Sequence, residues 1–272
     1  MPELPEVETI RRQLEPMLDG RAITRAESHP SAKFVEAAHA AGAGIEGVRR
    51  RGKYLIIDLD DDRELIVHLG MTGQLSIQAE DPNHDDPNHD DYVRAWWALD
   101  DGSTLVFRDV RRFGRIRVVE AGDYASIATL HKLGPEPFDD AFTPAHLHQQ
   151  LKASNRRIKT QLLSQRPVAG LGNIYADEAL WRSRVYPAAR TISRPAAERL
   201  HEAIIDVLRA GVDNGGTTLR DYRNAEGGQG TNQFHLQCYG RGGEPCDRCS
   251  DILRSRIWDA RTTTWCPSCQ PR

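Results

Sequence analysis

The chain has 272 residues, of which 39% are hydrophobic and 28% charged, and its formal net charge is −3. This apolar content suffices for a sizeable core and excludes wholesale disorder, and no apolar run reaches the roughly 18 residues of a transmembrane helix. The acidic, proline-bearing start is unlike a secretory signal, and five cysteines are too few for a disulfide scaffold, so we expect a cytoplasmic protein.

The net charge conceals an uneven distribution. Residues 1–149 carry 17 Lys and Arg against 27 Asp and Glu, whereas residues 150–272 carry 19 against 12. Six acidic residues fall within Glu80–Asp91, where the sequence Asp-Pro-Asn-His-Asp occurs twice; this composition predicts a solvated loop, with a His/Asp metal site as the alternative. A net charge of −3 argues against a nucleic-acid partner, but the arginine-rich second half is compatible with one.

The first 120 residues predict one helix followed by an antiparallel β-sandwich. Apolar residues recur at helical spacing at Val7, Ile10, Leu14 and Leu18. Pro5 suits the first turn of this helix, and Gly20 suits its end. Short β-like runs separated by turn signals follow at Lys53–Leu59, Glu64–Leu69, Trp96–Leu99, Thr104–Arg108 and Arg115–Val119. Successive hairpins of this kind are typical of an antiparallel sandwich.

From about residue 144 the apolar period changes to that of helices. Four helices with short connections are predicted at Pro144–Ala153, Ile158–Ser164, Asn173–Arg184 and Ala196–Ala210. Gly211 is expected to end the last of them. Residues 211–235, rich in Gly, Asn and Gln, are expected to form a long flexible loop, and loops of that length are usually functional or disordered.

The last part of the chain contains a strong metal-binding motif. Two Cys-x2-Cys pairs, Cys246/Cys249 and Cys266/Cys269, are separated by sixteen residues, a spacing that places four thiolates around one tetrahedral Zn²⁺. A redox motif is the alternative, but redox pairs are not normally duplicated in this way. Four cysteine ligands leave no open position, so the metal would be structural. Cys238 is either a further ligand or, as we expect, a small buried residue on a strand.

The segment between the two cysteine pairs is basic and aromatic. It contains Arg254, Arg256, Trp258, Arg261 and Trp265. Such residues on a metal-stabilised hairpin favour contact with nucleic acid, with a protein-binding or purely stabilising ribbon as the alternative.

A glycine-rich turn precedes the third predicted helix of the second half. Gly170-Leu171-Gly172-Asn173 would leave amides pointing outward at a helix N-terminus, which is an anion site. A plain tight turn is the alternative. Because Arg156, Arg157 and Lys159 lie a short distance upstream, we favour phosphate binding.

The N-terminus offers a nucleophile. Loss of Met1 would give Pro2 a secondary α-amine with a pKa near 7.7–8.0, so a useful fraction is uncharged at neutral pH. Such amines attack carbonyl or acetal carbon to give Schiff bases, and the nearby Glu3 and Glu6 could move protons. Taken alone, this start is commonplace.

Two turns carry candidates for insertion into a DNA duplex. His68-Leu69-Gly70-Met71 and Asp109–Gly114 end predicted strands in glycine-bearing turns. Met and Phe side chains can wedge between base steps, and Arg can fill the gap left by an extruded base. Core packing is the alternative for each apolar residue.

These segments also stand in a recognisable order. They are Pro2–Glu8, Arg51–Leu55, His68–Met71, Arg111–Gly114, Gly170–Glu178, Gly216–Asp221 and Tyr239–Arg241, followed by the four cysteines. Together they resemble the bacterial formamidopyrimidine-DNA glycosylase family over essentially the whole chain. The resemblance implies an α+β fold with an N-terminal antiparallel β-sandwich flanked by a helix, a helical domain with a helix–two-turn–helix, and a terminal zinc finger. The implied boundaries are 1–132, 133–234 (with the lesion loop) and 235–272.

The resemblance implies a bifunctional enzyme of base-excision repair, both a hydrolase and a lyase. It would remove 8-oxoguanine and formamidopyrimidines and then nick the abasic site by β,δ-elimination. The expected partner is double-stranded DNA with damaged bases or abasic sites, bound by a monomer at the bacterial nucleoid, away from membranes, with one structural Zn²⁺.

By the same resemblance five residues are catalytic. Pro2 would attack the sugar C1′, Glu3 would protonate the departing base, and Glu6 would support the sugar. Lys53 would supply a proton in β-elimination. Arg261 would serve δ-elimination and bind phosphate.

Further residues are implied to bind DNA. Lys159 and Asn173 would grip phosphates from the helix–two-turn–helix, with Arg156 beside them. Arg220 would begin the loop that closes over the extruded base. Extrusion costs a few kcal/mol, which such contacts would supply.

A triad is implied to fill the void in the duplex. It consists of Met71, Arg111 and Phe113, with Arg112 adjacent. The family's DNA-contacting histidine has no aligned counterpart here, and His89, displaced by one position, is the nearest candidate. The acidic loop before it should project away from DNA.

Three other functions compete with this one. An endonuclease VIII-type enzyme would prefer oxidised pyrimidines, although the triad favours purines. A non-catalytic relative would recognise DNA without cutting it. A zinc-ribbon domain for protein interaction would show no salt-dependent DNA binding.

Overall fold

The computed structural model describes residues 2–79 and 90–272. His89 and the duplicated acidic sequence before it lie outside the described residues, so the expectations for them stay predictions. The chain forms two compact units: one comprises the chain up to His131 together with Gly215–Thr231, and the other comprises Lys132–Asn214 and Asn232–Arg272. The three proposed domain boundaries likewise stay a prediction.

The first unit contains a helix and two antiparallel sheets. Its elements are α1 (Leu4–Leu18), β1 (Ile23–Ser28), a 3-10 helix (Val35–Ala40), β2 (Ile45–Arg51), β3 (Tyr54–Leu59), β4 (Arg63–His68), β5 (Gly73–Gln78), β6 (Val93–Leu99), β7 (Thr104–Asp109), β8 (Arg115–Glu120) and α2 (Ala128–His131). Within the described residues, the strands form two four-stranded sheets, ordered β1-β6-β7-β5 and β2-β3-β4-β8, with every neighbouring pair antiparallel.

Both sheets and α1 share one hydrophobic core. Leu55 and Ile57 of one sheet and Trp97 and Phe107 of the other are fully buried in the same cluster, together with the apolar face of α1. Burying a large apolar side chain stabilises a fold by about 1.5–3 kcal/mol, so this cluster holds the layers together. The predicted sandwich and its flanking helix are confirmed.

The strands that the sequence does not predict are all edge strands. The five predicted strands correspond to β3, β4, β6, β7 and β8 within a few residues. The missed strands β1, β2 and β5 lie at sheet edges and bury few of their residues. Edge strands carry polar and charged side chains, so their hydrophobic pattern is weak.

The second unit is helical and ends in a hairpin. Its elements are α3 (Pro144–Lys152), α4 (Ile158–Leu163), α5 (Asn173–Arg182), α6 (Arg194–Asp213), a 3-10 helix (Asn232–His235), β9 (Arg254–Trp258) and β10 (Arg261–Trp265). The four predicted helices are all present, with ends that differ by a few residues. Among the described helices, none is long and apolar enough to cross a membrane.

Gly211 does not end the last helix, contrary to prediction, because α6 continues to Asp213. Glycine is required there for another reason: a Cβ on Gly211 would lie 2.6 Å from the Tyr175 ring of α5. The segment that follows is irregular, but Gly215–Thr231 belongs to the first unit, where Tyr222 and Ala225 enter its core.

Candidate functional site

The start of α1 brings the N-terminal candidates together. Pro2 is buried, and Glu3 and Glu6 are each 2% exposed. Glu6 Oε2 accepts a hydrogen bond from the Glu3 amide at 2.7 Å, which satisfies a backbone donor at the helix start. A nucleophile at Pro2 would therefore directly precede a helix start with two buried carboxyl groups.

Glu6 also anchors a segment more than two hundred residues away in sequence. Its Oε1 accepts a hydrogen bond from the Thr217 amide at 2.7 Å, and Tyr222 Oη donates to the carbonyl oxygens of Glu6 and Gly215, at 3.3 and 3.2 Å. Gly216 has a φ of +85°, and a Cβ there would lie 2.9 Å from Glu6 Cγ. The base of the predicted lesion loop is thus attached to the helix that begins beside Pro2.

Lys53 lies in a tight turn of the first unit. Arg51 pairs with Tyr54 across β2 and β3, so Gly52 and Lys53 form the two-residue turn between them, and Lys53 is 3% exposed. His68 of β4 is paired with Tyr54 of β3, and the centroids of their rings are 4.7 Å apart. His68 Nδ1 accepts a hydrogen bond from the Gly70 amide at 3.2 Å.

His68 is held neutral by its surroundings. Burial lowers the pKa of His68 to about 4, and the positive charges of Lys53 and Arg115 act in the same direction. The sequence gives His68 no role, because only the paired strands show that it faces the lysine turn.

The proposed void-filling residues lie on two neighbouring turns. Met71, Arg111, Arg112 and Phe113 are all exposed, and the Arg111 guanidinium lies 4.8 Å from the centre of the Phe113 ring. The core-packing alternative is wrong for Met71 and Phe113, which are 37% and 46% exposed. An exposed aromatic ring capped by a cation is suited to stacking against a base.

Two buried residues that the sequence does not single out hold these turns. Thr72 Oγ1 donates to Asp109 Oδ1 at 2.5 Å and accepts from the Arg111 amide at 3.1 Å. Asp109, fully buried, also accepts from the Gly114 amide at 2.7 Å. The sequence signal is that Thr72 directly follows the first motif and Asp109 begins the second.

Arg220 lies at a cationic groove of the first unit. A cavity of about 420 Å³ is lined by Thr72, Gln74, Arg108, Val110, Arg111, Arg220, Asp221 and Arg223. Gln74 Nε2 donates to the Asp221 carbonyl oxygen at 2.9 Å and so joins β5 to this segment. The exposed Arg220 and Arg111 thus face a common space.

In the second unit Lys159 is buried rather than exposed. It is 3% exposed, and its Nζ contacts Asp177 Oδ1 at 2.6 Å, Thr262 O at 3.0 Å and Thr263 Oγ1 at 3.1 Å. Burial raises the pKa of Asp177 to about 7 against the opposing effect of Lys159. Asn173 Nδ2 also donates to Thr262 O, at 3.1 Å. Both residues hold the strand that begins at Arg261.

Arg261 and Arg156 are exposed at a second cationic groove. A cavity of about 250 Å³ is lined by Arg156, Arg157, Lys159, Thr160, Leu163, Ser164, Trp258, Asp259, Arg261 and Thr263. Asp259 accepts from Thr160 Oγ1 at 2.5 Å and from Arg157 Nη1 at 3.2 Å. The finger hairpin and α4 thus form one basic surface that suits phosphate.

The glycine-rich turn before α5 differs from the expected anion site. Gly170, Leu171 and Gly172 are buried, and the Gly170 amide donates to Gln165 Oε1 at 3.0 Å. The prediction of an outward-pointing amide is therefore wrong for Gly170, because the turn packs into the fold. Asn173, the last residue of this motif, is half-buried, in contrast to the three buried residues before it.

The four cysteines of the two pairs lie together in a cluster that could hold a metal ion. The sulfur atoms of Cys246, Cys249, Cys266 and Cys269 all lie within 4.8 Å of one another, as the ligands of one ion require. Cys238 is fully buried outside this group and donates to Thr264 O at 3.1 Å. Its burial is confirmed, but it lies in a bend and not on a strand.

Two adjacent acidic residues on α5 support the finger. Glu178 accepts hydrogen bonds from the amides of Gln237, Cys238 and Tyr239 at 3.0, 2.9 and 2.7 Å. Asp177 Oδ2 accepts from the Thr264 amide at 3.0 Å. The sequence gives neither residue a role, since the finger amides that they bind lie 59 to 87 residues away.

The sequence matches two family models. The formamidopyrimidine-DNA glycosylase N-terminal domain matches residues 1–116, and the formamidopyrimidine-DNA glycosylase H2TH domain matches residues 133–223. The chain is 43% identical to the formamidopyrimidine-DNA glycosylase of Deinococcus radiodurans, over all of this chain and 98% of that protein. It is 44% identical to that of Herpetosiphon aurantiacus, over 99% of this chain and all of the relative.

Solved structures of proteins from the same family resemble this chain in fold. The MutM (Fpg) protein of Thermus thermophilus superposes with a TM-score of 0.89 at 43% identity, covering 99% of this chain and 98% of that one. A mutant Lactococcus lactis Fpg bound to DNA containing Fapy-dG has a TM-score of 0.88 at 34% identity, with full coverage of both chains. The Lactococcus lactis Fpg in complex with abasic-site DNA also has a TM-score of 0.88, covering 99% of this chain and all of that one.

Proposed function

The chain belongs to the formamidopyrimidine-DNA glycosylase family, and from this premise we propose that it is a bifunctional DNA glycosylase and abasic-site lyase. Its substrates are oxidised purines, 8-oxoguanine and formamidopyrimidines, in double-stranded DNA. The observation that carries the proposal is the burial of Pro2 beside Glu3 and Glu6 at the first turn of α1. This arrangement suits amine nucleophilic catalysis assisted by carboxyl groups.

The first chemical step uses Pro2 and Glu3. Removal of Met1 converts the Pro2 nitrogen from a tertiary amide to a secondary amine, which can form a bond to C1′ of the damaged nucleotide. The glycosidic bond breaks as the base leaves, and Glu3 supplies the proton that the base takes up. The C1′–O4′ bond then breaks, and O4′ takes up the proton that the Pro2 nitrogen gives up. This leaves a Schiff base between Pro2 and C1′, with Glu6 supporting the sugar.

The lyase steps follow from the Schiff base. Loss of a proton from C2′ allows the bond between C3′ and its phosphate oxygen to break, and Lys53 supplies a proton in this β-elimination. Loss of a proton from C4′ then releases the second phosphate from C5′, a δ-elimination assisted by Arg261. The burial of Lys53 and the exposure of Arg261 in a basic groove support these assignments.

DNA binding would use exposed cations and the two turns. Arg156, Arg261 and the half-buried Asn173 offer phosphate contacts, and Lys159 would act by holding the strand of Arg261. Met71, Arg111 and Phe113 would fill the void left by the extruded nucleotide, whose removal from the stack costs a few kcal/mol.

Two further groups would contribute to this DNA interface. Arg112 is exposed beside the triad, and Arg220 faces the first groove, where it could meet the extruded base.

The four cysteines would hold one Zn²⁺. This ion would stabilise the structure of the finger and take no part in the chemistry, because four thiolate ligands leave no open position.

Borohydride trapping tests the proposed nucleophile. Protein with a free Pro2 amine, incubated with an abasic-site duplex and borohydride, is expected to form a covalent adduct. Protein that retains Met1 or carries an N-terminal acetyl group is expected to form none. Absence of an adduct with the processed protein would contradict the enzyme function and favour a non-catalytic DNA-binding relative.

Paired substrates test the preference for purines. A duplex with 8-oxoguanine opposite cytosine is expected to be cleaved faster than one with thymine glycol. Strong preference for thymine glycol would favour an endonuclease VIII-type enzyme. Binding that did not weaken as salt rises would contradict a phosphate-gripping protein altogether.

A further inference from the structure

Glu8 of α1 is the acceptor in a cluster of three arginines. Its carboxylate accepts hydrogen bonds from Arg11 Nη2 at 3.0 Å, Arg12 Nε at 2.9 Å and Arg50 Nε at 3.1 Å. The side chains of Glu8 and Arg50 are only 13% and 10% exposed. This ion pair therefore lies at a semi-buried contact between the N-terminal helix and β2, where water screens it weakly.

Arg50 connects Glu8 to the turn that contains Lys53. Its Nη1 donates to the Gly52 carbonyl oxygen at 3.1 Å while its Nε binds Glu8. The Gly52 carbonyl belongs to the peptide group whose nitrogen is that of Lys53. Arg50 thus fixes the orientation of the peptide that leads into Lys53, which is itself 3% exposed.

Glu6 and Glu8 hold different parts of the first unit to the same helix. Two residues apart on a helix correspond to about 200°, so their side chains leave opposite sides of α1. Glu6 binds the Thr217 amide, and Glu8 binds Arg50. Burial raises the pKa of Glu8, but the neighbouring arginines outweigh burial, so its pKa lies below the usual range and the carboxylate stays charged near neutral pH.

We propose that Glu8, acting through Arg50, is a positioning residue for Lys53 and keeps it in register with the helix start that carries Pro2. This inference rests on the proposed lyase function and adds to it a residue that acts only through other residues. The two reacting groups, the amine of Pro2 and the side-chain amine of Lys53, would then both be positioned by α1.

The expected consequence is a separation of the chemical steps. Schiff base formation needs Pro2, whereas β-elimination also needs Lys53. Because a displacement of about 1 Å can slow a reaction on the order of 100-fold, we expect Glu8→Gln to slow β-elimination about tenfold. Adduct formation on a preformed abasic site should stay within about twofold of the wild type.

The experiment is a single-turnover reaction on a duplex with a preformed abasic site. The rate of borohydride-trapped adduct formation and the rate of strand cleavage are measured in parallel. Glu15→Gln is the matched control, because Glu15 lies on the same helix and pairs with Arg11 at 2.8 Å without touching Arg50. That variant is expected to keep the wild-type ratio of the two rates.

Arg50→Lys is the second variant. Lysine keeps the positive charge but lacks the planar fork that contacts Glu8 and Gly52 together, so the cleavage-to-adduct ratio should fall as in Glu8→Gln. The double variant should be no slower than either single one, because both break the same connection. If Glu8→Gln does not fold, Arg50→Lys still gives the ratio.

Two outcomes would overturn the inference. One is a wild-type ratio of the two rates in Glu8→Gln and Arg50→Lys. The other is an equal fall of both rates together with the melting temperature, which would show that the pair only stabilises the fold. Absence of an adduct in the wild type would instead contradict the proposed function, so the two failures are distinguishable.

Discussion

The hydroxyl of Thr72 lies 2.5 Å from Asp109 Oδ1, and this contact joins the turn that carries Met71 to the turn that carries Arg111 and Phe113. The three exposed side chains of the proposed triad thus lie on two turns that a buried hydrogen bond connects.

Thr72→Val should weaken this connection without changing side-chain shape. It leaves one oxygen of the buried Asp109 carboxylate without its donor, so we expect a loss of about 1–3 kcal/mol in the free energy of unfolding. Excision of 8-oxoguanine should slow about tenfold, and cleavage of a preformed abasic site should slow less, because no base remains to be extruded. Thr72→Ser keeps the hydroxyl and serves as control. Equal rates for the two variants would contradict the expectation.

Gly216→Ala should detach the lesion loop from Glu6. The new Cβ would lie 2.9 Å from Glu6 Cγ, so the Thr217 amide and the Glu6 carboxylate must separate. Gly227→Ala is the matched control: its φ of +81° gives comparable backbone strain, but nothing lies within 4 Å of its Cβ. We expect base excision to fall at least tenfold in Gly216→Ala only. Backbone strain should destabilise both variants, and the broken hydrogen bond should destabilise Gly216→Ala further. Equal activity in the two variants would count against the role of Glu6.

Acidification should destabilise the protein through His68. Its pKa is lowered to about 4 in the folded chain, compared with about 6.5 in an unfolded one. Between these values the unfolded state binds a proton that the folded state does not, so the free energy of unfolding falls as pH falls from about 6.5 towards 4. His68→Gln removes this titration. Urea unfolding across that pH range should give a shallower dependence in the variant, and an unchanged slope would refute the assignment.

Substitution of one of the four cysteine ligands should release the metal ion from the finger. Cys249→Ser is expected to lose the bound ion, whereas Cys238→Ala is expected to retain it, because Cys238 lies outside the four-sulfur group. Elemental analysis should find about one zinc per wild-type chain. Chelation should expose the stacked pair Trp258 and Trp265, whose ring centroids are 5.1 Å apart, and so change tryptophan fluorescence. Loss of metal in Cys238→Ala would require a different ligand set.

Lys159 and Arg156 should respond differently to salt. Arg156 is exposed, so Arg156→Ala should reduce the slope of log Kd against log salt by about one. Lys159→Met should leave this slope unchanged, because Lys159 is buried, but it should cost about 3–5 kcal/mol by leaving Asp177 without its partner. Filter binding at several salt concentrations and thermal melting separate the two effects. A reduced slope in Lys159→Met would restore a direct phosphate contact.

Features that depend on local spacing could be predicted from the sequence. The two Cys-x2-Cys pairs specify one cluster because the ligands of each pair lie three residues apart, and the buried strands β3 and β7 show continuous apolar runs. The roles of the motif residues follow only from the family resemblance. Composition alone would have left Pro2 as an ordinary start.

Contacts between distant positions could not be predicted in this way. Glu6 binds the Thr217 amide, Asp109 binds the Thr72 hydroxyl and Asp177 binds the Thr264 amide, and these partners lie 37 to 211 residues away. Nothing in a single sequence pairs such distant positions. The burial of Lys159 could not be predicted for the same reason, because in the sequence a lysine near other cations favours a phosphate contact. That contact itself stays a prediction. Burial by β10 is visible only in the folded chain.

The hydrogen bond between Glu6 and Thr217 spans 211 residues of the chain, and the unit that contains both resumes at Gly215 and ends at Thr231. A ribosome that adds about 5–20 residues per second needs roughly 10 to 40 s to make that stretch. The helix that begins beside Pro2 is therefore synthesised well before the Thr217 amide that binds Glu6. During that interval a nascent chain carries the proposed nucleophile without the loop that Glu6 anchors.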